Sequence, residues 1–140
     1  MTLLIDTAPL VALADAGQPR RDAILAAIQD EPGSLVIPAP TTAEIDCLLG
    51  QRLGDPARRA FLADLAAGRF TVASLERDDY TTVAELDTRY ADLRLGLADC
   101  ALVVLAHRYE TTRVLTFDDR HFGAVAPLSG GSFTLLPADA

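Results

Sequence analysis

Leu3-Leu4-Ile5-Asp6-Thr7 opens the chain with an apolar run ending on a carboxylate, and Val114-Leu115-Thr116-Phe117-Asp118 repeats that pattern far downstream. Short runs of Leu, Ile and Val without polar alternation predict buried strands. Leu35 to Ile37 predicts another, closed by Pro38, with Phe70 to Ala73 and Phe133 to Leu136 completing the set. Helical stretches fill the intervals: about Pro9 to Ala14, Pro19 to Gln29, Thr42 to about Leu53, Asp55 to Gly68, Asp78 to Tyr90, and the most apolar, Leu97 to Tyr109. Thr41-Thr42-Ala43-Glu44 has the form of a capping box, and Asp55-Pro56 that of a capped helix start. Strands separated by helices imply parallel pairing. The fold class is therefore α/β, an α/β/α sandwich around a central, mainly parallel sheet of about five strands. With no linker, repeat or low-complexity tract in view, residues 1–140 read as a single domain.

Half of the residues are hydrophobic, which excludes a disordered chain. The longest apolar stretch, Leu95 to Ala106, is broken by Asp99 and falls well short of the roughly 20 residues of a bilayer span. The apolar start carries no charged leader, since the first basic residue is Arg20. Cys47 and Cys100 form neither a CxxC pair nor a disulfide framework and suit small buried positions. These features predict a soluble cytoplasmic protein. All 12 basic residues are Arg. Without Lys, a P-loop nucleotide hydrolase cannot reach its phosphates, and the chain also lacks the GxGxxG of a dinucleotide-binding domain.

Placed on that scaffold, the carboxylates fall into a pattern. Asp6 follows the first strand, Glu44 sits in the first turn of the helix after the second, Asp99 in the first turn of the apolar helix, and Asp118 follows the fourth strand. All of these positions belong to the carboxyl edge of a parallel sheet, where open α/β folds bind their ligands. Carboxylates gathered there repel, by roughly 4 kcal/mol per pair at about 4 Å and an intermediate dielectric, unless protons or a cation relieve them. Hard oxygen ligands select Mg2+ or Mn2+ over zinc. The chemistry that follows is metal-dependent hydrolysis of a phosphodiester.

Leu4-Ile5-Asp6-Thr7, Thr42-Ala43-Glu44-Ile45, Tyr90-Ala91-Asp92-Leu93 running into Leu97-Ala98-Asp99-Cys100-Ala101, and Leu115-Thr116-Phe117-Asp118-Asp119-Arg120-His121-Phe122 together resemble PIN-domain proteins. More specifically, the chain resembles the VapC-type ribonuclease toxins of bacterial toxin–antitoxin modules. The resemblance spans essentially the whole chain in order, although any one motif alone is weak. It implies a PIN-like fold, Mg2+- or Mn2+-dependent endoribonuclease activity, and an antitoxin partner that masks the site. Carried over by position, Asp6, Glu44, Asp99 and Asp118 match the acidic quartet, and Thr7 a hydroxyl residue beside the metal. One departure is Asp119, which stands where the family commonly has Arg. The resemblance further implies a homodimer that assembles with its antitoxin, with Leu48, Leu49, Leu53 and Phe61 as candidates for the groove or dimer contact.

Plainer explanations stand beside these. Asp6 alone could cap a helix, and Glu44 could be the reciprocal half of its capping box. Asp99 is harder to account for, because an ionised residue in an apolar helix needs a partner. Asp46 points away from Glu44 and reads as solvated or structural, Asp92 as fixing the turn before the apolar helix, and Ser129 to Ser132 as a turn. His107 and His121 read as structural hydrogen bonders, since metal-activated water needs no His. Strand alternation through Phe117 favours Asp118 over Asp119 as the fourth acid, leaving Asp119 to cap the following turn. The charge of −8 argues against broad RNA binding. A structured RNA such as tRNA or rRNA, read by shape, fits better. A DNA- or structure-specific nuclease, and a catalytically idle module that binds RNA or protein, remain as alternatives.

Overall fold

A computed structural model describes residues 1–140. Strands β1 (Leu3–Ile5), β2 (Leu35–Pro38), β3 (Thr71–Ala73), β4 (Arg113–Leu115) and β5 (Thr134–Leu136) form one five-stranded sheet, all parallel, in the order β3-β2-β1-β4-β5. The helices are α1 (Thr7–Leu13), α2 (Arg21–Gln29), α3 (Thr42–Leu53), α4 (Asp55–Ala66), α5 (Arg77–Arg89), α6 (Gly96–Arg108) and α7 (Asp119–Ala124). None is long and apolar enough to cross a membrane.

The pleat sorts the strand residues into two cores. Leu4, Val36, Val114 and Leu135 face one side and pack with Val83 and Leu86 of α5, Leu102 and Leu105 of α6, and Phe122 of α7. Leu3, Ile5, Ile37, Leu115 and Leu136 face the other, against Leu10 of α1, Ile24 of α2, Ile45 and Leu49 of α3, and Phe61 of α4. The sheet is thus covered on both faces, which is why β1 reads as an unbroken apolar run. Each fully buried Leu or Ile contributes about 1.5–3 kcal/mol.

The strand order positions the site. The chain builds β1, β2 and β3 outward in one direction, then returns through α5 and α6 to lay β4 on the opposite side of β1. Helices that leave β1 and β4 diverge there, opening a crevice at the carboxyl ends of the two strands.

Several local expectations are corrected. Helix α1 starts at Thr7 rather than near Pro9, with Asp6 as its N-cap. No capping box forms at Thr41: Pro38-Ala39-Pro40 leads into a 3-10 turn over Ala39–Thr41, and the Thr41 and Thr42 hydroxyls donate back to the carbonyls of Pro38 and Ala39. The Glu44 side chain is therefore not spent on a cap. A capping box is found instead at Glu76 and Asp79, before α5. Asp55 does not cap α4; Gly54, at φ 90°, makes the turn from α3. Strand β4 stops at Leu115, so alternation cannot be carried through Phe117. The cap of α7 is Asp118, while Asp119 is exposed in its first turn. Backbone bonds from Leu93 to Tyr90 and from Arg94 to Ala91 hold the turn before α6, with Asp92 exposed. Cys100 is buried as expected, but Cys47 is exposed. Asp46 pairs with Arg58 at 3.1 Å.

Candidate metal centre

Thr116 ties the ends of β1 and β4 together. The residue is only 1% exposed, and its hydroxyl donates to Asp6 Oδ2 at 2.9 Å and accepts from the Asp118 amide at 2.9 Å. The Asp6 amide donates to the Leu115 carbonyl at 2.9 Å, extending the β1–β4 ladder one residue further. Asp6 Oδ1 accepts from the Thr7 amide at 2.8 Å. Asp6 thus caps α1, as a lone Asp would, and at the same time stands at the crevice.

Asp118 Oδ1 accepts from the His121 amide at 3.1 Å, which fixes the start of α7. The same cap turns the His121 ring inward. Its Nδ1 lies 2.7 Å from Asp118 Oδ2 and 3.2 Å from Asp99 Oδ2. Asp99 reaches the site from the first turn of α6, and Glu44 from the first turn of α3. An open pocket of about 500 Å³ is lined by Asp6, Thr7, Glu44, Arg52, Asp99 and Asp118, among others. All of the sequence-predicted acids therefore meet in one place. Asp119 lies outside it.

The electrostatics are those of crowded carboxylates. Burial pushes the Asp99 carboxyl up to about 6, and the charges of Asp6 and Asp118 add to the effect. Asp6 is raised in the same way, chiefly by burial and then by Asp118 and Glu44, against the hydrogen bonds from Thr7 and Thr116. The N-terminus of α6 favours an anion at Asp99, but not enough to overcome burial. Two further features fit a hard cation. The Thr7 hydroxyl oxygen is buried in the pocket wall with no hydrogen-bond partner. One ligand atom each from Asp99, Asp118 and His121 lie within 4.8 Å of one another. The Nδ1 edge of His121 stands between the Asp99 and Asp118 carboxylates.

His121 and Thr116 bond to the predicted acids, and Arg52 lines their pocket, although none of the three is among the acids that the sequence predicts for the site. Asp118 and His121 are three apart, so a cap at Asp118 necessarily brings the first turn of the helix, and His121 with it, toward the same carboxylate. That spacing was the available signal. The hydrogen-bond partners of His121 are the acids themselves.

A PIN domain model matches residues 3–127. Ribonuclease VapC26 of Mycobacterium tuberculosis is 40% identical over 135 residues, covering 96% of this chain and all of that protein. The crystal structure of Mycobacterium tuberculosis VapC20, a sarcin–ricin loop cleaving toxin, superposes with a TM-score of 0.78 at 20% identity, covering 87% of this chain and 94% of that one. FitAcB from Neisseria gonorrhoeae superposes with a TM-score of 0.68 at 15% identity over 94% of this chain and 96% of that one. At these identities the two structures speak for the fold.

Proposed function

The chain belongs to the PIN-domain family, and from that premise we propose that it is a metal-dependent endoribonuclease acting as the toxin of a toxin–antitoxin module. The observation that carries the reading is the convergence of Asp6, Glu44, Asp99 and Asp118 on one open pocket, with Asp6 and Asp99 raised by burial and by their neighbours' charge. These residues would hold Mg2+, with Mn2+ as substitute, and the unpartnered Thr7 hydroxyl belongs to the same pocket. Bound there, a divalent ion would supply charge to offset the phosphate and would make water a better nucleophile for in-line attack.

The protein residues do the positioning. Thr116 fixes the Asp6 carboxylate from one side and the Asp118 backbone from the other, so the two acids keep their separation without a ligand. His121, with Nδ1 within hydrogen-bonding distance of both, keeps Asp99 and Asp118 side by side. The open mouth admits a phosphodiester backbone from solvent. A structured RNA, tRNA or rRNA, is the substrate we favour, because a chain of charge −8 offers little for a long uniform duplex to grip.

The partners are a homodimer mate and a cognate antitoxin in the cytoplasm, the latter covering the acidic pocket with a basic side chain and an apolar segment. Arg suits the first task, since its planar fork pairs with carboxylates at two points. Leu49 and Phe61 do border an apolar groove, with Leu10, Leu13 and Phe70, whereas Leu48 lines the acidic pocket.

The test is to purify the chain and incubate it with total RNA, with Mg2+ or Mn2+ or with chelator. Cleavage is expected only with metal and is expected to vanish in Asp6→Asn. Metal-indifferent cleavage would refute the reading. A complex in which the product of the neighbouring gene binds far from Asp6 would refute the masking.

A further inference from the structure

Arginine is the only basic side chain here besides two histidines, and five of the 12 arginines are held in ion pairs. Arg58, Arg59, Arg69, Arg108 and Arg113 are each held by a carboxylate. Arg20 and Arg52 are among the seven that are not. Both are exposed, and both stand beside the acidic pocket. The Arg20 guanidinium lies 3.8 Å above the centroid of the Phe117 ring. A side cavity of about 170 Å³ is bordered by Arg20, Arg52 and Phe117 together with Asp15 and Gln18. Phe117 and Arg52 also line the acidic pocket, so the two spaces share a wall. Asp15, the acid in the side cavity, is engaged: its Oδ1 accepts from the Gly17 amide at 3.0 Å.

We propose that Arg20, Phe117 and Arg52 form a nucleotide subsite next to the acidic pocket, taking a base and a phosphate that flank the bond to be cut. The inference rests on the nuclease reading above and deepens it by assigning the substrate's neighbouring nucleotide a place. Unstacked RNA bases bind by stacking on aromatic rings or on guanidinium planes, and the Arg20–Phe117 pair presents such a plane. Arg52, on the shared wall, is placed to neutralise a phosphate as the strand passes from one space to the other. A base held this way must be unpaired, which directs the enzyme to loops rather than duplex. It also answers the charge problem: a chain of −8 needs cations only where the strand enters, and two arginines without a carboxylate partner border that place.

The test reads binding apart from cleavage. In the full-length Asp6→Asn chain, Arg20→Ala, Phe117→Leu and Arg52→Ala are compared for affinity to a fluorescent single-stranded oligoribonucleotide of about ten nucleotides. A parallel series carries one abasic residue moved along the strand. Arg20→Ala and Phe117→Leu are expected to weaken binding about tenfold. With the abasic residue at one particular position the same substitutions should change affinity less than about twofold, the coupling of a double-mutant cycle. Arg52→Ala should lower the slope of log affinity against log salt by about 0.7, one phosphate contact on a single strand. Thermal melting of each variant checks that the fold is kept.

A stack that only fastens α2 to the end of β4 would give no coupling to any base. Losses that are the same with every abasic strand, or the absence of any loss, overturn the subsite. So does failure of the parent chain to bind the oligonucleotide at all. If wild-type chain cuts RNA with metal but coupling is absent, the subsite alone falls. If coupling is present but no metal-dependent cleavage is found, the nuclease reading falls and the subsite stands as an RNA contact.

Discussion

Replacing Asp99 by Asn should stabilise the metal-free protein while removing its activity. Asp99 is raised from an ordinary 3.8 to about 6, first by burial and then by Asp6 and Asp118, with the His121 contact pulling the other way. At neutral pH its charge is thus held against the fold. At 1.36 kcal/mol per pKa unit, the rise corresponds to at most about 3 kcal/mol. Water reaches the open side of the pocket and screens part of this, so about 1–2 kcal/mol is the figure to expect. Asn keeps the shape without the charge. For a domain of this size the gain is a rise of about 3–6 °C in Tm.

The pH dependence follows from the direction. A folded pKa above the unfolded one gives stability that is complete below the unfolded value and is lost as pH rises through the folded value. The wild-type chain in chelator should therefore lose stability between about pH 4 and pH 7 through this group, and Asp99→Asn should not. The advantage of the variant should be full at pH 7.5 and about a third of that at pH 4.5. Saturating Mn2+ should reverse the order, since metal at a hundredfold excess over Kd adds about 2.7 kcal/mol to a chain that retains its ligands. The assay is thermal melting of both proteins at the two pH values, with chelator and with Mn2+. A variant that melts below wild type in chelator at pH 7.5, or whose advantage is the same at both pH values, would refute the electrostatic account of the pocket.

Three further outcomes are expected. Expression of the wild-type chain in a bacterial host should arrest growth, and Asp6→Asn, Glu44→Gln or Asp99→Asn should relieve it; equal toxicity at matched protein level would sink the catalytic assignment. Asp118→Asn should weaken Mn2+ binding and cleavage, whereas exposed Asp119→Asn should leave cleavage largely intact and change stability by less than about 0.5 kcal/mol; Mn2+ titration with cleavage rates at saturation decides, and a larger loss at Asp119 reverses the assignment. Leu102→Ala, in the fully buried centre of α6, should cost about 2–5 kcal/mol in denaturant unfolding, through lost transfer energy and the cavity left behind.

The legible parts of this protein are those governed by neighbours in the chain. Leu3 to Ile5 could be read as a strand because a central parallel strand buries both faces and so tolerates no polar residue. The carboxylates could be placed at one sheet edge because, in a parallel sheet, every strand end and following helix start shares that edge. Where local signals competed, they misled. Thr41 to Glu44 carries the letters of a capping box, but the prolines on either side of Ala39 tighten the backbone into a 3-10 turn, and the hydroxyls turn back to the preceding carbonyls. Val114 to Phe117 looks continuous, yet β4 ends at Leu115 because the Thr116 hydroxyl is drawn into the Asp6–Asp118 link.

The sequence by itself determined the α/β alternation, the two-faced burial of the central strands and the set of acids that face one edge, since all of these follow from period and order along the chain. Tertiary structure alone decided which charges meet. Asp99 and His121 approach across α6 and α7, Thr116 reaches an Asp6 that is 110 residues away, and Arg113 pairs with Glu31 across 82. Such pairs depend on distances of about 3 Å between elements that only the packed core brings together. That Arg20 and Arg52, among the arginines not held by carboxylates, come to border the pocket is of the same kind. Charge along a chain is a count, whereas its effect falls off with distance through space, and only the fold sets that distance.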